Sequence, residues 1–183
     1  MDYDPGQVYQ PEADTCLLLA AALAEVKPGD CVLEVGTGSG LIAAKLSEHS
    51  PVIATDINPH AARSARDAGV EVVRCNLSDA IRGRFDLILF NPPYLPTEPR
   101  ERIDDWLEYA LDGGKTGRET IGRFAEGIGR VLAPSGRILL LVSSLTGPEE
   151  TGELFERLGY TVEQIRRERV EDEYLSVLRI RRG

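Results

Sequence analysis

The tightest constraint on this chain lies in residues 31–40. A short apolar run from Cys31 to Val35 stops at Gly36-Thr37-Gly38-Ser39-Gly40, and helical spacing of apolar residues resumes over 41–48. Strand, glycine loop and helix in direct succession is the opening unit of an open parallel sheet. The alternation then repeats. Strands are expected at 52–56, 70–74, 85–90 and 137–143, with helices over 60–68 (Pro59 at its start), 120–132 and 148–158. A helix over 12–25 precedes the first strand and is broken by Lys27-Pro28-Gly29-Asp30. Residues 160–167 and 174–181 read as a closing antiparallel hairpin. The fold class is therefore α/β: a mostly parallel seven-stranded sheet with an antiparallel C-terminal hairpin and helices on both faces, joined by right-handed crossovers.

With 183 residues, the chain is expected to form a single domain over 1–183, with a short N-terminal helical lead-in. Hydrophobic residues at 42% and charged residues at 28% exclude a disordered or low-complexity protein. The longest apolar runs, 16–24 and 138–142, fall short of the roughly 20 residues that cross a bilayer, and residues 1–10 are acidic. A cytoplasmic location is expected. Thirty acids against 21 bases give a net charge of −9, which disfavours sequence-independent binding to nucleic acid. Cys16, Cys31 and Cys75 are odd in number and lack a CxxC pair, so they read as small buried residues in a reducing compartment, without disulfide or metal. His49 and His60 lack metal-ligand spacing and read as surface residues.

Sheets of this kind bind ligands beyond the carboxyl ends of their strands. The residues so placed are Gly36–Gly40, Asp56, Asn76 and Asn91–Tyr94. Asp56 lies 20 residues beyond Gly36, the spacing at which an acid reaches a ribose hydroxyl pair. A pyrophosphate turn normally reads GxGxxG, whereas this loop follows Glu34, a carboxylate that repels phosphate and suits an amine-bearing ligand. S-adenosylmethionine, with its ribose, sulfonium and amine, meets that requirement better than a dinucleotide. Asn76, after the third strand, is placed to reach an adenine ring, and Leu77 to pack on its face.

Asn91-Pro92-Pro93-Tyr94 ends the fourth strand, since no central strand continues through two prolines. Methylating a planar, weakly nucleophilic NH₂ requires its hydrogens held by acceptors and its nitrogen in line with the methyl–sulfonium bond. The Asn91 side-chain oxygen and the Pro92 carbonyl can accept those hydrogens, and Tyr94 can stack on the planar group. Residues 95–118, polar and rich in proline and glycine, form a candidate lid or binding loop. Its acidic residues Glu98, Glu101, Asp104, Asp105, Glu108 and Asp112 suit a basic protein loop and repel DNA.

GTGSG with Glu34 and Asp56, followed by NPPY, resembles the class I S-adenosylmethionine-dependent methyltransferases that act on amino groups, and implies their Rossmann-like fold. Two further segments, Val8-Tyr9-Gln10-Pro11-Glu12-Ala13-Asp14-Thr15 and Leu111-Asp112-Gly113-Gly114-Lys115-Thr116-Gly117-Arg118-Glu119, resemble the HemK-type protein glutamine methyltransferases. The chain looks like the short archaeal and eukaryotic branch of that family. The resemblance implies methylation of the Gln in the Gly-Gly-Gln loop of a class 1 translation release factor. By it, Tyr9, Thr15, Glu34, Gly36, Gly38, Asp56, Ile57, Asn76, Leu77 and Asn91 line the cofactor, while Asn91, Pro92 and Tyr94 face the chemistry. Asn76 stands where the family usually has Asp, although its carbonyl oxygen still accepts from an adenine amine. The same branch is commonly paired with a small zinc-containing activator protein as a heterodimer. The rival readings are a DNA or RNA amino-methyltransferase, since NPPY does not distinguish a glutamine amide from a nucleobase amine, and a catalytically silent cofactor-binding subunit.

Overall fold

A computed structural model of the protein describes residues 3–97 and 105–183. The first helix, α1, spans Ala13–Glu25; then follow β1 Val32–Val35, α2 Leu41–Leu46, β2 Val52–Asp56, α3 Pro59–Asp67, β3 Glu71–Arg74 and β4 Phe85–Phe90. After the long loop come α4 Glu119–Ile128, β5 Leu132–Ser143, α5 Pro148–Arg157, β6 Tyr160–Val170 and β7 Glu173–Arg182. The seven strands order as β3-β2-β1-β4-β5-β7-β6, with β7 antiparallel to both its neighbours and the other pairings parallel. This is the Rossmann-like arrangement expected from the alternation.

Buried on both faces, the central strands divide their side chains by the two-residue period of a pleat. Leu87, Leu89, Leu139 and Leu141 join Leu17, Leu18, Ala21 and Ala43 of α1 and α2 in one core layer. Ile88, Phe90, Ile138, Leu140 and Val142 join Phe124 of α4 and Phe155 of α5 in the other. Order reverses between β1 and β4, and the carboxyl ends of these strands open the crevice in which the candidate site residues meet. At the opposite end, Arg137, only 3% exposed, lies 2.7 Å from Asp30 and 3.3 Å from Glu25, while Arg179 bridges Glu25 and Glu163. These pairs fasten the end of α1 to the hairpin.

Three expectations need correction. The helix expected over 120–132 ends at Ile128, and Leu132 already pairs with Phe85. Strand β5 thus starts five residues before the expected Arg137, carrying an irregularity that the sequence disguises as a Pro-Ser-Gly break. Gly136 is needed there because a Cβ would lie 2.8 Å from the Phe85 carbonyl oxygen. Cys16 and Cys31 are exposed and Cys75 is half-buried: Cys16 lies on the outer face of α1 and Cys31 precedes its strand. His60 is buried, because the N-terminal segment folds over the start of α3 and the Asp4 backbone N–H donates to His60 Nδ1 at 3.0 Å.

Candidate active site

A cavity of about 1140 Å³ opens at the carboxyl ends of β1, β2 and β4. Every site residue expected from the sequence lines it: Tyr9, Thr15, Glu34, Gly36, Gly38, Asp56, Ile57, Asn76, Leu77, Asn91, Pro92 and Tyr94. The volume exceeds the roughly 300–1,000 Å³ of a single small-ligand pocket, leaving room for a nucleoside cofactor and a substrate side chain together.

On the cofactor side, Gly36, Gly38 and Gly40 all have positive φ. Gly40 cannot be replaced without movement, since a Cβ would stand 2.7 Å from the Ala65 Cα where α2 meets α3. Two buried carboxylates shape the loop. Glu34 Oε2 accepts from the Thr37 hydroxyl at 2.5 Å and the Ala43 N–H at 3.0 Å. Asp56 accepts from the Gly38 N–H through one oxygen and the Asn58 N–H through the other, both at 2.9 Å. Burial pushes the Glu34 carboxyl up to about 8, and burial also raises Asp56. Leu77 adopts a left-handed backbone at φ 46° and its carbonyl accepts from the Thr55 hydroxyl at 2.7 Å. The strained turn carrying Asn76 and Leu77 is thereby held to β2.

On the chemical side, Asn91 Nδ2 donates to Asp14 Oδ2 at 3.1 Å. Asn91 Oδ1 is buried and lacks any partner among the described residues. The same Asp14 oxygen accepts from the Tyr9 hydroxyl at 2.9 Å. Burial, reinforced by the Asp14 charge, holds the phenols of Tyr9 and Tyr94 far above their usual range, so both keep their protons.

Asp14, Asn58, Gln7 and Trp106 were not singled out by the sequence. Asn58 caps α3 by accepting from His60 N, and its Nδ2 donates to the Gln7 carbonyl at 2.6 Å and the Trp106 carbonyl at 3.5 Å. Gln7 Oε1 in turn accepts from Trp106 N at 2.9 Å. Together they pin the long loop against α3. An Asn before Pro59 is a legible cap signal. A contact between Gln7 and Trp106, 99 residues apart, has no sequence signal. Of the acidic loop residues, Glu98, Glu101 and Asp104 lie outside the described residues. Asp105 accepts from Glu108 N and Asp112 from Gly114 N, so both shape the loop; Glu108 lines the cavity. Among the described residues no group of three or more His, Cys, Asp or Glu could hold a metal ion. No helix among them is long and apolar enough to cross a membrane.

The donor set fits S-adenosylmethionine. Glycine backbone at positive φ leaves space beside the cavity, the buried acids Glu34 and Asp56 line it, and the Asn91 oxygen has no donor among the described residues.

Residues 11–103 match the family model of the methyltransferase small domain. Over 180 residues the chain is 40% identical to MJ0928 of Methanocaldococcus jannaschii, provisionally assigned as a protein N5-glutamine methyltransferase; the match covers 94% of this chain and 90% of the relative. It is 34% identical over 195 residues to the methyltransferase HEMK2 of Homo sapiens, covering 95% and 89% of the two chains. Among solved structures, the E. cuniculi Mtq2–Trm112 complex, responsible for methylation of the eRF1 translation termination factor, superposes with a TM-score of 0.81 at 30% identity. That superposition covers 97% of this chain and 99% of its counterpart. With the glycine loop, Asp56 and the Asn91 turn assembled around one cavity and this similarity running along nearly the whole chain, the protein belongs to the HemK-type protein N5-glutamine methyltransferases.

Proposed function

We propose that residues 1–183 act as one catalytic unit in the cytoplasm. The unit transfers a methyl group from S-adenosylmethionine to the side-chain amide of the Gln in the Gly-Gly-Gln loop of a class 1 release factor. The observation that carries this reading is the buried, unpartnered Asn91 oxygen at the edge of a cavity that also holds Asp56 and the glycine loop. A lone buried acceptor is costly, by about 1–3 kcal/mol, unless a ligand donates to it. A primary amide brings such a donor.

When bound, S-adenosylmethionine supplies an electrophilic methyl group on a sulfonium and leaves as S-adenosylhomocysteine. Asp56 would accept from the ribose hydroxyls, Glu34 would face the amine, and Ile57, Asn76 and Leu77 would border the adenine. Tyr9 and Thr15 close the cavity from the N-terminal side. Asn91 Oδ1 and the Pro92 carbonyl accept the two amide hydrogens of the target, which holds its nitrogen in one plane with its lone pair toward the methyl. Held this way, the amide nitrogen would be positioned to take the methyl group from sulfur and to release one proton to solvent. Tyr94, kept as a neutral phenol, stacks on the planar group. The resemblance to Mtq2, solved with Trm112, supports a small activator protein as partner.

Incubating the protein with labelled cofactor and either a release factor or an oligonucleotide, with and without an activator, tests the reading. One added methyl on the Gln is expected by mass spectrometry. Label on a nucleobase, with none on protein, overturns it.

A further inference from the structure

We propose that Asp14 is a positioning residue that decides which end of the Asn91 amide faces the reacting amine. This inference rests on the function proposed above and concerns a residue to which that reading gives no role.

A carboxamide has two faces of nearly equal shape and opposite hydrogen-bonding character, NH₂ and oxygen. Asn91 presents a useful acceptor only if its oxygen points into the cavity. Asp14 is 3% exposed and lies in the second position of α1, 77 residues before Asn91. Its Oδ2 accepts from Asn91 Nδ2 at 3.1 Å and from the Tyr9 hydroxyl at 2.9 Å. Its Oδ1 accepts from the Thr15 N–H at 2.5 Å and the Thr15 hydroxyl at 3.1 Å. Four donors converge on one carboxylate, so the carboxylate itself cannot turn.

An ionised carboxylate only accepts. Asn91 can therefore meet Asp14 only through NH₂, and its oxygen is left buried without a partner on the cavity side. A flipped Asn91 would set oxygen against a carboxylate and would offer NH₂ to the NH₂ of a target amide, donor against donor. Asp14 thus acts through Asn91, selecting the rotamer that accepts.

The test compares Asp14→Asn, Asn91→Asp and the exchanged double variant. Asp14→Asn preserves shape but allows the new amide to donate to Asn91 Oδ1, permitting the flip. Its kcat should fall by about 10- to 100-fold, the worth of one charged hydrogen bond. KM and the cofactor Kd should move by less than about threefold, because ground-state contacts persist. Asn91→Asp alone sets two carboxylates together and should lose more. Combining the two restores one donor facing one acceptor with an oxygen still directed into the cavity, and should recover at least about tenfold over Asn91→Asp. A merely structural role predicts losses that add, and additive losses overturn the proposal.

A substrate-independent measurement separates this inference from the functional reading. In the free protein, the Asn91 side-chain NH₂ should exchange slowly with solvent by nuclear magnetic resonance, and should lose that protection in Asp14→Asn. Fast exchange in the unsubstituted protein overturns the positioning role whatever the substrate proves to be. Slow exchange in a protein that methylates no release factor upholds the Asp14 contact while rejecting the substrate.

Discussion

The two halves of the cavity hold their polar groups in opposite states. On the cofactor side, Asp56 and Glu34 are already bonded to the backbone of Gly38, Asn58 and Ala43, so the loop is shaped before any ligand arrives. On the target side, Asp14 is saturated with donors while Asn91 Oδ1 has none among the described residues. The cofactor half spends its carboxylates on its own geometry. The target half keeps the Asn91 oxygen in reserve, aimed by a neighbour that is not in reserve.

Removing the reserved acceptor should produce the largest effect. Asn91→Ala is expected to lower methyl transfer by about 10²–10³-fold, or about 2.7–4 kcal/mol of barrier, with cofactor affinity little changed. Single-turnover assays with parallel calorimetry check both halves at once; a cofactor affinity that collapsed along with turnover would erase the division between them.

Asp56→Ala should act the other way round. Loss of hydrogen bonds to a charged acceptor is expected to weaken cofactor binding by about 1.5–3 kcal/mol, measured calorimetrically. Because Asp56 also holds Gly38 and Asn58, the free protein should lose thermal stability as well.

Asn58→Ala removes a helix cap and the tether to Gln7 and Trp106. A cost of about 1 kcal/mol is expected in denaturant titration, the usual worth of such a cap. Protease cleavage within the long loop should also become faster.

The last effect concerns pH. In the folded protein, burial lifts the Glu34 carboxyl from 4.5 to about 8, so across that window the folded state holds a proton the unfolded chain has shed. The contribution is complete below about pH 4.5 and disappears as pH rises toward 8. Asp56, raised in the same direction, adds to it. Comparing thermal midpoints between pH 5 and 8 should show a downward slope that Glu34→Gln flattens. An unchanged slope in Glu34→Gln would place its origin elsewhere.

Several of these distinctions could be read before any coordinates. Alternating apolar runs and glycine loops marked the central strands, because burial on both faces leaves a local hydrophobic signature. Asp56 and Asn91 were legible because strand ends are marked by the end of an apolar run and, at Asn91, by two prolines. Where local signals conflict with long-range pairing the reading failed: β5 runs through Pro134 and Gly136 because Phe85 pairs with Leu132. His60 is buried only because residues remote in sequence fold over it.

The sequence by itself determined the α/β class, the carboxyl ends of the central strands and which residue types line the cavity, since each is written in local periodicity and in chain-breaking residues. Tertiary structure alone decided the company those residues keep. Nothing in Asp14 or Asn91 as letters, 77 positions apart, says that one orients the other. That relation exists only because α1 packs beside the end of β4, where an acceptor without protons can meet an amide through one end and not the other.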